Sequence, residues 1–321
     1  TNFREKLVND IPQNLKYGIT SGIGLFIILI GLKSAGIVVT DQSTLVTLGD
    51  IGTAQAALAL LGFVIVAALY HFNVKGYILI GILATWGLGM IAQATGWYVV
   101  DPEASAYSLY PSVSAKDFIP SAPLLFEFDF GWVGDGHLLN FIVIVFSFLF
   151  ADIFDTVGTL IGVASKGNLL DKDGKLPKIR PALLADAIAT SAGAVLGTST
   201  TTTFVESSAG VAAGGKTGLT ALTTAILFLL SMLFAPIFTA IPAFATAPAL
   251  IVVGFLMFSN IAELKLTEDN YTSTIPAYLC IIAMPLFYSI SEGISIGVIS
   301  YVLFNLFCGK AKKVNPVMCV L

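Results

Sequence analysis

Ten stretches of this chain are so apolar, and so nearly free of charge, that a hydrocarbon environment suits them better than water. They run approximately over 17–39, 54–69, 77–92, 138–163, 181–196, 199–214, 217–241, 248–261, 275–290 and 294–307, the sixth of them interrupted. A helix that crosses a bilayer needs about 20 apolar residues, fewer where it is short or broken. Lipid offers no water to satisfy stray backbone groups, so the spanning form expected of such runs is the helix. Only 11% of the 321 residues are charged and 56% are hydrophobic, with a mean hydropathy of +0.89. A soluble domain carries about a quarter charged residues, because water must solvate its surface. The expectation is an all-α polytopic membrane protein with about ten transmembrane spans and no soluble second domain.

Basic residues give the orientation. With the amino-terminal segment cytoplasmic, ten alternating crossings put fourteen of the sixteen Lys and Arg residues in inside loops, and only Lys33 and Lys116 outside. Short loops carry this asymmetry, which is where the positive-inside bias acts. Both ends of the segment are therefore expected to be cytoplasmic. The opening residues TNFREKLVNDIPQNLK lack the basic stub and apolar core of a signal peptide. The chain has no initiator Met and closes inside a new apolar run, so it reads as an internal piece of a longer protein. The outer loop over about 97–135 holds Trp97, Tyr98, Tyr107 and Tyr110 and reads as an aromatic cap at the membrane interface.

Several functions are excluded. A net charge of −4 gives nucleic acid nothing to bind. Cys280, Cys308 and Cys319 have neither metal-type spacing nor an even count, and His71 and His137 stand singly at the ends of apolar runs. Residues 210–217, GVAAGGKT, match the phosphate-loop pattern in letters. A true phosphate loop joins a strand to a helix in a soluble sheet, whereas this match lies at a turn between two apolar spans. No cofactor or metal is expected.

The informative residues are acids at membrane depth, each costing about 2.5–3.5 kcal/mol at mid-helix on insertion scales. Asp152, Asp155, Asp186, Glu206 and Glu292 fall within the spans or at their ends, with no basic residue at comparable depth. In FADIFDTVGTLIG, Asp152, Asp155, Thr156 and Thr159 share one helix stripe of about 100°. A polar seam between helices would need only the threonines. Two carboxylates one turn apart point to a functional site. In GTSTTTTFVESSAGVAAGG, the run Thr198–Thr203 disfavours helix and reads as an extended stretch leading into a helix near Glu206. Such a break, with a helix amino terminus at mid-membrane, is a recurring substrate site in secondary transporters. Asp186 has two readings, a bond to a neighbouring helix or a support for the site. Glu292 reads as structural or interfacial.

The segments FADIFDTVGTLIGVASKGNLLD, PALLADAIATSAGAVLGTSTTTTFVESSAGVAAGGKTGLTAL and PALIVVGFLM resemble the AzgA-like adenine–guanine–hypoxanthine permeases, within the nucleobase–cation symporters that also include uracil and xanthine permeases. The resemblance covers essentially the whole chain. It implies a fourteen-helix fold of two inverted seven-helix repeats, with residues 1–137 and 242–321 in a gate domain and 138–241 in the core domain that holds substrate. On that scheme helices one to four lie outside this chain, together with an extended stretch that pairs with 199–205. By position, Asp152 and Glu206 match the acids that hold the base, and Phe204 an aromatic beside it. Thr156 and Asp155 match further site positions, and Asp155, Asp186 and Thr159 serve coupling or support. The implied function is import of purine nucleobases across the cell membrane, with a coupled cation and no enzymatic activity. Acids without a basic partner favour H⁺ over Na⁺, and the resemblance suggests a homodimer in the lipid bilayer. Uracil, xanthine or an anion is the alternative substrate on the same architecture. An intramembrane aspartyl protease fits less well, since its two aspartates must face each other across a gap, whereas Asp152 and Asp155 share a helix.

Overall fold

A computed structural model of the chain describes residues 11–101, 106–111, 118–120, 122–129, 131, 137–171, 176–204, 206–264, 271–310 and 314. Arg4, Lys6, Lys116, Lys172, Lys175, Lys265, Lys312 and Lys313, which carry half of the orientation count, lie outside the described residues, as does Val205 of the extended stretch. The described part is built of helices and one small hairpin. In order these are α1 (Gln13–Ser34), β1 (Val38–Asp41), β2 (Leu45–Leu48), α2 (Ala54–His71), α3 (Tyr77–Ala94), α4 (Leu138–Lys166) and α5 (Ile179–Val195). They continue with α6 (Ser207–Ala212), α7 (Gly218–Leu233), α8 (Ala235–Thr239), α9 (Ala243–Phe258), a 3₁₀ turn (Ser259–Glu263), α10 (Tyr271–Phe287) and α11 (Ile290–Phe307). Among the described residues, five helical segments are long and apolar enough to cross a membrane, and α7 and α10 are shorter apolar helices. This is the mostly helical build of a multi-pass membrane protein.

The boundaries depart from the apolar runs at instructive places. The first run was expected to continue to residue 39, but α1 stops at Ser34. Gly36 adopts φ +71°, and the Ile37 and Gly36 amides bond back to the Leu32 and Lys33 carbonyls. This left-handed ending is open to glycine without a Cβ penalty. The β-branched residues after it then pair as a hairpin, Val38 with Leu48 through Asp41 with Leu45. The turn is closed by Asp41, whose Oδ1 accepts from the amides of Ser43 and Thr44 at 2.8 and 2.9 Å and from both hydroxyls. These bonds, the Ser43 hydroxyl first, hold the Asp41 carboxyl well below the usual carboxylate range. α9 begins at Ala243, ahead of the expected 248, and keeps Pro248 inside it. Pro248 packs on Gly62 of α2, and tertiary packing of this kind offsets the missing helical bond. Lys16, counted with the inside loops, instead lies in the first turn of α1 and is buried, because that helix begins at Gln13, ahead of the apolar run.

Two compact units divide the chain. One comprises Ile27–Ser121 and Gly215–Leu256. Its core joins Ala56, Leu58 and Ala59 of α2, Trp86 of α3 and Phe244, Ala245 and Ala247 of α9. The aromatic segment that follows α3 is tied into it: Trp86 Nε1 donates to the Leu109 carbonyl at 3.0 Å, and Tyr98 is buried with its hydroxyl on the Tyr107 carbonyl. Trp97, Tyr107 and Tyr110 remain exposed. α7 exposes Leu219, Leu222, Phe228 and Leu229 along its length, an all-round apolar surface suited to lipid or to other helices.

The other unit comprises Thr1–Phe26, Ala122–Gly214 and Met257–Leu321. Its interior is the start of α1 (Leu15, Ile19 and Ile23, all fully buried) packed with α4, α10 and α11. Glycines set the spacing. A Cβ on Gly18 would lie 2.7–2.9 Å from the Cβ, Cα and carbonyl of Ala277, so α1 and α10 touch backbone to backbone there. A Cβ on Gly158 of α4 would meet Ile294 of α11 at 2.9 Å, and Ile23 and Ile19 of α1 just beyond. Overpacking such a contact costs about 1–3 kcal/mol. Gly18→Leu should therefore lower the thermal unfolding midpoint in detergent, while Gly36→Asn, at a left-handed position open to asparagine, should change it little.

Candidate functional site

Every element of the site comes from the second unit. α5 ends in a reversal that sequence and sterics dictate together. Gly197 takes φ +77°, Thr198 N donates to the Gly193 carbonyl at 2.9 Å, and Gly197 N to that of Ala194 at 3.1 Å. A Cβ on Gly197 would also strike Leu124 at 2.6 Å, so both its torsion and its neighbour call for glycine. The chain then runs back along α5. Gly193 makes room for it, since a Cβ there would meet the Thr201 and Thr198 hydroxyls at 2.6 and 2.9 Å. Residues 198–204 are non-helical and lead into α6, with Glu206 as its N-cap residue.

One buried side chain fastens this stretch. Asp186 of α5 is only 6% exposed. Its Oδ1 accepts from the Thr203 amide at 3.1 Å, the Thr203 hydroxyl at 3.3 Å and the Thr202 hydroxyl at 3.4 Å, and its Oδ2 from the Thr156 hydroxyl of α4 at 3.0 Å. Thr156 and Thr202 lie 2.9 Å apart, oxygen to oxygen, which closes the ring. Two helices and an extended segment thus meet on a single carboxyl group. Farther along, Thr190 Oγ1 donates to the Thr201 carbonyl at 2.9 Å, and Thr200 Oγ1 to Asp152 Oδ1 at 3.2 Å.

Beside this network opens a cleft of about 560 Å³, with Asp152, Asp155, Thr190, Thr200, Ser291 and Phe148 on its walls. The polar stripe of α4 is divided. Asp152 and Asp155 face the cleft, while Thr156 and Thr159 point inward and are fully buried. Thr156 is engaged with Asp186. The Thr159 hydroxyl has no hydrogen-bond partner among the described residues, nor has that of Ser208. Phe204 is 58% exposed and Glu206 is exposed, and neither lines the cleft. The carboxylates of Asp152, Asp186 and Glu206 are nonetheless near enough to repel that of Asp155. Thr190 and Ser291 also line the cleft, and sequence reasoning did not single them out, whereas Thr200 belongs to the stretch it had. Thr190 lies one turn past Asp186 and was within reach of the same helical counting. Ser291 arrives from a distant helix, and no local signal announces it. Among the described residues no three His, Cys, Asp or Glu side chains gather as metal ligands would.

The arrangement is a mainly apolar cleft that carries two carboxylates and a few hydroxyls, suited to a flat, neutral ligand with N–H groups. The sequence model of the Permease family matches residues 1–296. The guanine/hypoxanthine permease PbuO of Bacillus subtilis is 46% identical over 324 residues, covering 100% of this chain and 71% of its own length. A second permease of that organism, the guanine/hypoxanthine permease PbuG, is 41% identical, covering 99% of this chain and 68% of its own. The adenine permease AdeQ of Escherichia coli is 38% identical, covering 98% of this chain and 66% of its own.

Removing the carboxyl that fastens the stretch tests the geometry. In Asp186→Ala the Thr203 amide and three hydroxyls lose their acceptor, and each buried group left unsatisfied costs about 1–3 kcal/mol. The variant should unfold at lower temperature, and protease should cut first within 198–204. An unchanged cleavage pattern would show that the stretch is held elsewhere.

Proposed function

The chain belongs to the nucleobase permease family of multi-pass membrane transporters, and on that premise we propose that it carries purine bases into the cell together with a proton. The observation that carries this reading is the pair of carboxylates, Asp152 and Asp155, opening from mid-helix into a cleft walled by the threonine stretch. Its volume lies in the range of small-molecule sites, about 300–1,000 Å³. Carboxylates accept the N–H groups of a purine, and in guanine the ring N1–H and the adjoining 2-amino group can be taken together by one carboxylate. The guanine/hypoxanthine and adenine permeases among the relatives support the choice of base.

In this reading Asp152 grips the base from the cleft wall, Glu206 and Phe204 reach it from outside the cleft, and Asp186 with Thr156 holds the wall in shape. Asp155 and Thr159 serve the coupled ion, since Asp155 has three other acids about it. Among the described residues the amides of Ser199, Thr200, Thr201 and Thr202 donate to no acceptor. Backbone at membrane depth requires one. We therefore place a second extended segment against them, within an inverted-repeat fold of seven plus seven helices. On this proposal the peptide covering 198–204 in the complete polypeptide exchanges its amide hydrogens slowly, and fast exchange would remove the pairing.

Three measurements test the function, each in the complete polypeptide. Uptake of radiolabelled hypoxanthine, guanine, adenine and uracil by a transport-deficient cell should be saturable for the purines and rise when the outside is acidified. Uptake of uracil alone would move the substrate to the pyrimidines. Glu206→Gln should weaken hypoxanthine binding by about 10- to 150-fold, the value of one charge-assisted hydrogen bond, with the protein still in the membrane. Asp155→Asn should impair accumulation driven by a pH gradient more than it impairs equilibrium binding. The topology predicts that a thiol reagent applied outside intact cells labels Ser43→Cys, in the hairpin, and spares Lys75→Cys.

A further inference from the structure

Acids and hydroxyls meet a purine at its edge, but most of the surface of a base is its two flat faces. A carboxylate is ill suited to a face, because it seeks N–H donors and those lie in the plane of the ring. A face is covered by apolar groups, and best by another ring, which adds stacking to the area removed from water. Among the described residues that line the cleft, Phe148 and Leu149 are the apolar ones, and Phe148 alone carries a ring.

The helix puts that ring beside the acids. Phe148, Asp152 and Asp155 are spaced i, i+4 and i+7 on α4, so they share an arc of about 60°. The direction of Phe148 falls between those of the two carboxylates, whereas Leu149 lies about 60° to the far side of Asp152. Along the axis the ring is one turn, about 6 Å, from Asp152, and aromatic rings pack with centroids about 4.5–7 Å apart. A base held at its edge by Asp152 is thus within reach of the ring. Lipid does not account for Phe148, because a stripe that carries two carboxylates does not face hydrocarbon. Internal packing does not account for it either. The side chain is 72% exposed, and among the described residues it makes no contact with another ring.

We propose that Phe148 is a further substrate-binding residue, whose ring stacks on one face of the base while Asp152 takes its N–H edge. The proposal rests on the purine reading above and adds to it the aromatic one turn before Asp152. Hypoxanthine binding to the complete polypeptide tests it. Phe148→Ala should weaken binding by about 5- to 150-fold, the range of one base–aromatic stack. Phe148→Tyr keeps the ring and should bind nearly as the wild type does, whereas Phe148→Leu keeps apolar bulk alone and should recover little. In Phe148→Trp, hypoxanthine should quench tryptophan emission beyond what the wild-type tryptophans show, with the same midpoint as binding. This last readout reports contact directly and does not depend on the alanine variant folding. Wild-type affinity in Phe148→Ala, or an equal loss in the Ala, Leu and Tyr variants, would overturn the assignment. So would a Phe148→Trp emission that brominated lipid quenches and hypoxanthine does not, since the ring would then face the bilayer. Added quenching in Phe204→Trp alone would move the stack to that residue. A wild type that binds no purine would instead remove the reading beneath the proposal.

Discussion

The site depends on one carboxyl group holding a segment that has no regular structure of its own. Six hydroxyl residues in a row, Thr198–Thr203, cannot make a good helix, and at the membrane depth proposed for them their backbone needs partners within the protein. Asp186 resolves the conflict for two of them. It collects the Thr203 amide and the hydroxyls of Thr202, Thr203 and Thr156 within 3.4 Å. Everything downstream follows from that fastening. Thr200 comes into reach of Asp152, Thr190 into reach of the Thr201 carbonyl, and the wall of the cleft acquires a definite shape. A buried polar network of this kind fixes one arrangement among many, because each partner would be costly to leave unsatisfied.

Much of this was legible in the sequence, for physical reasons. Apolar runs as long as a bilayer is thick are local signals, so most helices were found close to their true limits. The acids stood out because lipid makes each of them expensive. What escaped was tertiary or of low cost. Hydropathy counts Val38 and Val39 as apolar whether they sit in a helix or a strand, so the hairpin was absorbed into the first run. Pro248 reads as a boundary until Gly62 of a neighbouring helix is known to receive it. Hydroxyls are common in membrane helices, so Thr190 and Ser291 carried no signal above that background. The separation of the α4 stripe into an open pair, Asp152 and Asp155, and a buried pair, Thr156 and Thr159, depends on what packs around it.

Site and scaffold use opposite strategies. The scaffold of α1, α4, α10 and α11 is held by small residues in direct contact, the arrangement that favours close helix approach where lipid removes the hydrophobic incentive to associate. The site is held by hydrogen bonds between short side chains and irregular backbone. The first resists any change of volume, while the second can be rearranged by moving a few protons and torsions.

This contrast bears on how a transporter of this build can cycle. With Gly18 against Ala277, Gly158 against Ile294 and Gly293 against Met284, the four helices leave no slack at their seams. Matter packed to that density is nearly incompressible and passes a displacement along instead of absorbing it. A push on α11 would therefore reach α4 undiminished, and the block would respond as a lever and not as a spring. The seven non-helical residues from Thr198 to Phe204 are held differently, by hydrogen bonds to side chains of α4 and α5. A displacement passed along the helices would reach the proposed ligand through that segment.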